Sequence, residues 1–232
     1  MNSIVPVFQF EIRYDHILNF SEIGRKLLSP FVKLSQSIKI DNQNTLNERI
    51  ILNFEDDNYT IIVSWDRIIL KGQNNVELFT GKNSPLEMPF FLILEKLKNL
   101  EEFGSIKNIL YIIIYIKKLK LEESELYNHF AEKFHLPKTK EILDTPNDMA
   151  VLLEDNLNEK SETILFGPYT GISDLDKRPL SPLNKKELPD VDFHGVICEY
   201  KKGFLANDVN FIDFKKLVEI SKNKFSKVCK ML

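Results

Sequence analysis

Three residues towards the C-terminal end have the types that cut phosphodiesters. Asp190 follows Pro189, and Glu199-Tyr200-Lys201 comes soon after, giving the order PD…ExK. Metal-dependent nucleases use that set to place two carboxylates on a divalent ion and a lysine beside the attacking water. Side-chain alternation along a strand puts Glu199 and Lys201 on one face, as the chemistry requires. The spacing weighs against the assignment. Nuclease folds bring the Asp and the ExK together from two different strands, whereas here the intervening residues form one continuous strand or a tight hairpin at His194-Gly195. A solvent-facing strand end accounts for the same letters, and ExK arises readily by chance when 28% of residues are charged. The sequence therefore assigns no catalytic residue to Asp190, Glu199 or Lys201, and predicts no metal and no cofactor.

Other polar clusters reduce to simpler readings. Glu55-Asp56-Asp57 with Asp66 offers hard oxygen ligands, but a polar hairpin turn explains the first three and no EF-hand spacing is present. His16, His129, His135 and His194 are scattered, with no HExxH and no Ser or Cys nucleophile motif beside them. Neither GxGxxG nor a Walker A lysine loop occurs, so nucleotide binding has no motif behind it. Trp65 with Tyr59 and Tyr169 could form an aromatic contact surface, but core packing is the better reading. The last helix carries Lys215, Lys216, Lys222, Lys224, Lys227 and Lys230 opposite an apolar stripe. Such a face could contact phosphates, but a solvated helix face whose later lysines complement the helix dipole is the better reading. Lys215, Lys216, Lys222, Lys224 and Lys227 are the candidate nucleic-acid- or partner-binding residues.

Composition bounds the function class. The 232-residue chain is 43% hydrophobic, enough to bury a substantial core. Its 31 Lys and Arg stand against 34 Asp and Glu, a net charge of −3, so the whole-protein basic field of a nucleic-acid binder is absent. Cys198 and Cys229 have no CxxC spacing, which reads as reduced thiols in a cytoplasmic protein. The start, MNSIVPVFQFEIRYD, lacks a basic region and a clean apolar run, so no signal peptide is expected. The most apolar stretch, Ile109 to Ile116, is far shorter than the roughly 20 residues a membrane-spanning helix needs.

The elements that must position these residues follow an order that recurs. Residues 5–14 alternate as a strand with one buried face. Asn19 and Glu22 cap a short helix carrying Ile23, Leu27 and Leu28 that stops before Pro30, and 32–46 read as polar and irregular. Strands follow at 49–54, 59–65 and 67–71. A helix begins near Ser84-Pro85 with Phe90, Phe91, Leu94, Leu97 and Leu100 on one face, and Gly104 ends it. The run 107–119 then reads as a central strand buried on both faces. A helix with Leu126, Tyr127, Phe130 and Phe134 follows, ended by Pro137. Next come a hairpin of 149–153 and 163–166, a long exposed loop over 167–190, a strand over 191–200, and a last helix opened by Asn210 and Asp213. Phe211, Phe214, Leu217, Val218, Phe225 and Val228 form the buried stripe of that helix. The fold class is thus α+β, as two pseudo-repeated βαβββα halves, 1–104 and 105–232. Their antiparallel sheets pack against long helices and join through strands 5–14 and 107–119, in the manner of TATA-binding-protein and helix-grip folds.

FQFEIRY, YTIIVSWDRIILKG, PFFLILEKL and DVNFIDFKKLVEISKNKF give the chain a resemblance to a family of uncharacterised bacterial proteins of similar length, which open with an FEIRF-like strand. That family is sporadically distributed and has no assigned catalytic residues, so the resemblance implies a mobile-element or antiviral-defence setting and transfers no site. The expectation is a non-enzymatic binding or scaffolding component acting through protein–protein contacts or self-association, with no membrane attachment. A saddle with weak nucleic-acid binding is the alternative, and a metal-dependent nuclease the third reading.

Overall fold

The computed structural model describes residues 3–81, 84–134, 148–157, 160–205 and 213–232. His135, Pro137, Asn210 and Phe211, named in the expectations above, lie outside the described residues. The fold is mixed α+β, one nine-stranded antiparallel sheet with four α-helices among the described residues.

At the centre, β1 (Ile4–Tyr14) pairs antiparallel with β6 (Ile106–Lys118), matching Phe8 to Ile113, Phe10 to Tyr111 and Ile12 to Ile109. This is the junction the two apolar runs predict. Outward from β1 lie β5 (Arg67–Gly72), β4 (Tyr59–Ser64), β3 (Arg49–Phe54) and β2 (Ser37–Asp41). Outward from β6 lie β9 (Gly195–Leu205), β8 (Lys160–Tyr169) and β7 (Val151–Leu157). Strand β2 occupies part of the stretch expected to be irregular. Its SIKID alternates, but at a sheet edge three of its five residues are exposed, so it lacks the apolar run that marks an inner strand.

Paired residues in a ladder share a face. One face carries Phe8, Phe10, Ile12, Tyr111, Ile113, Tyr115, Cys198 and Tyr200, all buried within a core that draws on both segments of the chain. The helices cover this face. They are α1 (Phe20–Leu28), α2 (Leu92–Lys98), α3 (Glu123–Lys133) and α4 (Phe214–Met231). Gly72 permits the central packing, because a Cβ there would come within 2.5 Å of the Phe8 ring. The helix expected to run unbroken to Gly104 is instead broken: Met88 is extended (φ −147°, ψ 117°) before Pro89, whose ring disfavours helix at the preceding residue, and α2 spans only seven residues.

The long loop is the larger correction. It starts at 170, after a β8 longer than the sequence suggests, and it is not wholly exposed. Leu175, Leu180 and Val191 are buried against Val7, Ile114, Ile116 and Ile197 on the sheet face opposite the helices. Those apolar side chains explain why the loop lies down on the sheet, and why β6 is buried on both sides only near 113–116. Gln73, 1% exposed, clamps it: its Nε2 donates to the Asn184 carbonyl (2.9 Å) and its Oε1 accepts from the Asn184 N–H (2.9 Å). Asn74 adds a bond to the Glu187 carbonyl (3.1 Å). Tyr169 reaches the Val191 carbonyl (3.0 Å).

Removing one partner of a buried two-way amide pair leaves the other unsatisfied, at a cost of about 1–3 kcal/mol. Gln73→Ala is therefore expected to loosen the loop before the sheet. Limited trypsin digestion read by mass spectrometry checks this: cleavage after Lys185 and Lys186 should accelerate, with cleavage inside β1 and β6 unchanged.

Candidate functional site

Helix α4 holds the lysines that sequence singles out. Asp213 caps it, accepting from the Lys216 N–H at 3.0 Å. Phe214, Leu217, Val218, Phe225 and Val228 are buried, as the stripe predicts. Phe214 sits over the sheet centre, 5.5 Å from the Phe10 ring and 5.6 Å from Tyr111, while Phe225 stacks on Tyr115 at 5.0 Å. Ser221, also buried, shares a 2.8 Å hydrogen bond with the Tyr115 hydroxyl. Against that fixed stripe, Lys215, Lys216, Lys222 and Lys227 are exposed and Lys224 is half-buried. The lysines differ in their surroundings. Lys222 pairs with Glu77, and Lys224 with Glu162 on β8.

Asp190, Glu199 and Lys201 are placed differently from one another. Strand β9 starts only at Gly195, so Asp190 lies outside it, exposed, with its carboxylate accepting the Asp192 N–H at 3.2 Å. Glu199 and Lys201 do share the sheet face away from the helices, paired with Ile114 and Ile112. Glu199 is 8% exposed and its Oε2 has no hydrogen-bond partner among the described residues. Burial pushes its carboxyl pKa up, and the charges of Arg178 and Lys201 pull part of the way back. Among the described residues no three His, Cys, Asp or Glu side chains gather as a metal-holding group.

The remaining clusters disperse. Glu55, Asp56 and Asp57 form the exposed turn between β3 and β4, whereas Asp66 lies past the far end of β4 and is gripped by Arg67 (2.6 Å) and Ser64 (2.9 Å). His16 packs on Trp65 with ring centroids 4.1 Å apart. His129 bonds the Leu232 carbonyl at 2.9 Å. His194 lies 4.0 Å from Glu123. Tyr59 is buried under the helices and Tyr169 under the loop, so neither joins Trp65 in a surface.

Two arrangements escape a linear reading. On the face away from the helices, cross-strand pairing lines up Lys39, Ile51, Ile62, Ile69, Glu11 and Leu110 in one row and Asn53, Thr60, Lys71, Gln9, Ile112 and Lys201 in the next. Glu11, 2% exposed, is held by Gln9 (2.9 Å), Arg13 (2.5 Å) and Arg67 (3.1 Å). Ile51, Ile62, Ile69, Leu110 and Ile112 stay half-buried there. The alternation of FQFEIRY turns Glu11 outwards and Arg13 with it; what it does not reveal is that β1 is central, so that a second arginine, Arg67, reaches Glu11 from the neighbouring strand β5. The second arrangement is a cleft of about 610 Å³ between α4, the end of β6 and the corner after β5, lined by Lys117, Lys222 and Lys230. No local signal marks it, because its walls come from four distant segments.

No protein-family model matches the chain, and no curated protein matches it.

Because burial raises the Glu199 pKa, the folded protein holds its proton to higher pH than the unfolded chain does, and stability falls as pH rises through the interval between the two values. Glu199→Gln removes that dependence. The variant should melt at a higher temperature than the native protein at pH 7.5, and the advantage should vanish near pH 4, as followed by circular dichroism.

Proposed function

We propose that this is a non-enzymatic binding component that holds a protein partner on the sheet face left open by the helices and the loop. The observation that supports it is the half-buried block Ile51, Ile62, Ile69, bordered by Arg49 and Lys71, with Lys201 farther across the same face on β9. None of those three cations has an ion pair among the described residues. Burial lowers the Lys71 pKa, with no carboxylate beside it to restore it. An apolar centre with Lys71 at its margin and no carboxylate beside that lysine fits a partner with a hydrophobic ridge flanked by Asp or Glu.

The finer architectural reading belongs to the same proposal. Apart from the additional edge strand β2, the strand order outward from β1 (β5, β4, β3) matches that outward from β6 (β9, β8, β7), which supports pseudo-repeated βαβββα halves and a TATA-binding-protein-like or helix-grip-like saddle. A cytoplasmic, defence-related setting remains part of it on the strength of the family resemblance. A specific feature also supports the nucleic-acid alternative. A groove of about 510 Å³ on the same face is lined by Arg13, Lys160 and Lys201, with no carboxylate lining it among the described residues. The nuclease reading draws no comparable support, since Asp190 stands outside β9 and Glu199 is sunk in the sheet.

Ile62→Asp and Lys71→Glu, each verified as folded, should weaken capture of the native partner by about tenfold or more, near 1.4 kcal/mol, with Lys216→Glu unchanged. Interaction measured by biolayer interferometry with the co-purified partner decides it. Partner binding that survives both sheet-face changes overturns the proposal. Salt-sensitive oligonucleotide binding lost on Lys160→Glu and Lys201→Glu would replace it with the nucleic-acid reading.

A further inference from the structure

The cleft beside α4 lies on the helix side of the sheet, since Lys117 pairs with Val196, which belongs to the helix-covered core. It is therefore separate from the proposed partner face, and its chemistry is different. We propose that it binds a phosphate-bearing small molecule of the sugar-phosphate or nucleotide class.

The cationic wall has a regular origin. Lys222, Ser226 and Lys230 are four residues apart and fall on one stripe of α4, so two ammonium groups and a hydroxyl project along the same side. Lys117, half-buried at the end of β6, supplies the third cation from another element. Among the described residues Glu77 is the only carboxylate lining the cleft, and it is paired with Lys222. Lys117 and Lys230 have no ion pair among the described residues. Two uncompensated positive charges thus face a concave volume of about 610 Å³, within the roughly 300–1,000 Å³ of small-ligand sites. Positive charges in a cleft focus the field on an anion more strongly than the same lysines spread over a surface.

The neutral lining narrows the ligand. Ser226 and Asn75 offer hydrogen bonds beside the ammonium groups. Asn74 Nδ2 is committed to the Glu187 carbonyl, while its Oδ1 is buried without a partner among the described residues. With no surface open to the cleft, that oxygen is not a ligand contact. Asn75 Oδ1 accepts from the Leu78 N–H, which leaves its Nδ2 to donate. Lysines act as compact point charges for phosphate, and a ribose or hexose would offer hydroxyls to Asn75 and Ser226. No bond is made or broken in this role. Cys229 lines the same cleft, half-buried, whereas Cys198 is buried in the core, so Cys229 reports occupancy.

The test uses the full chain and three probes, ATP, ribose 5-phosphate and inorganic pyrophosphate, by isothermal titration calorimetry at low salt. Saturable one-to-one binding of ATP or ribose 5-phosphate is expected. It should weaken about tenfold or more in Lys117→Gln/Lys230→Gln and stay within twofold of native in Lys215→Gln/Lys216→Gln, whose lysines lie outside the cleft. A second readout needs no variant: the saturating probe should slow alkylation of Cys229 by a maleimide. Failure of all three probes to saturate, unchanged affinity in Lys117→Gln/Lys230→Gln, or alkylation at the same rate with bound probe overturns the inference.

Discussion

The pairing of β1 with β6 is the constraint from which the rest of the molecule follows. Each strand is hydrogen-bonded on both sides, so no backbone group at the centre is left to water or to a partner chain. Once those two strands meet antiparallel, the other seven extend outwards on either side. Every hairpin connection then keeps its aromatic and branched residues on one surface. Phe8, Phe10 and Tyr111 form a platform there, and Phe214 lands on it with ring centroids 5.5–6.3 Å away. An antiparallel sheet needs only one face covered, and the helices cover that one.

The reverse side of the same strands carries the electrostatic consequence. Glu11 and Glu199 are both carboxylates on inner strands, both nearly buried, yet their surroundings oppose each other. Glu11 accepts from two arginines and an amide, so its charge is compensated where it sits. Removing either arginine would strand part of a buried charge, the costly way to break such a group. Glu199 has nearby positive charge but an oxygen with no donor, and burial wins. A buried acid in this position stabilises nothing by itself. Its environment favours the neutral form, unlike a carboxylate poised to hold a cation.

How much of this was legible in the letters depends on the range over which each signal acts. Alternation in VFQFEIRY and the run through Ile109–Ile116 are local patterns, and both strands and their junction come out as read. The α4 stripe does too, because helical spacing fixes which residues meet the sheet. Strand β2 is obscured by its edge position, and α2 is shortened at both ends, by the extended Met88 before Pro89 and by the extended Leu100 before Gly104. The loop after β8 misleads because Pro, Gly and charge dominate its composition, while a few apolar residues, Leu175, Leu180 and Val191 among them, decide where it lies. Site residues were the least legible. The lysines of α4 are visible as a face, but which are neutralised depends on Glu77 and Glu162, contributed from more than fifty residues away. Lys117 belongs to the cleft only because β6 ends beside α4.

The two ends of the sheet bear on which surface meets a partner. An open edge invites another strand, and both edges here are poor templates. Strand β2 has only five residues and carries Lys39 and Asp41 in an ion pair at 2.9 Å. Strand β7 exposes Leu152 and Leu153 but then turns acidic through Glu154 and Asp155, so a strand added there would bring its own backbone against two like charges. Edge addition is thereby disfavoured at each end. The helix side is covered by its own core apart from the cationic cleft beside α4. What remains is the face where Ile51, Ile62 and Ile69 lie half-open beside unpaired Lys71, and there the protein has left both apolar area and positive charge unspent.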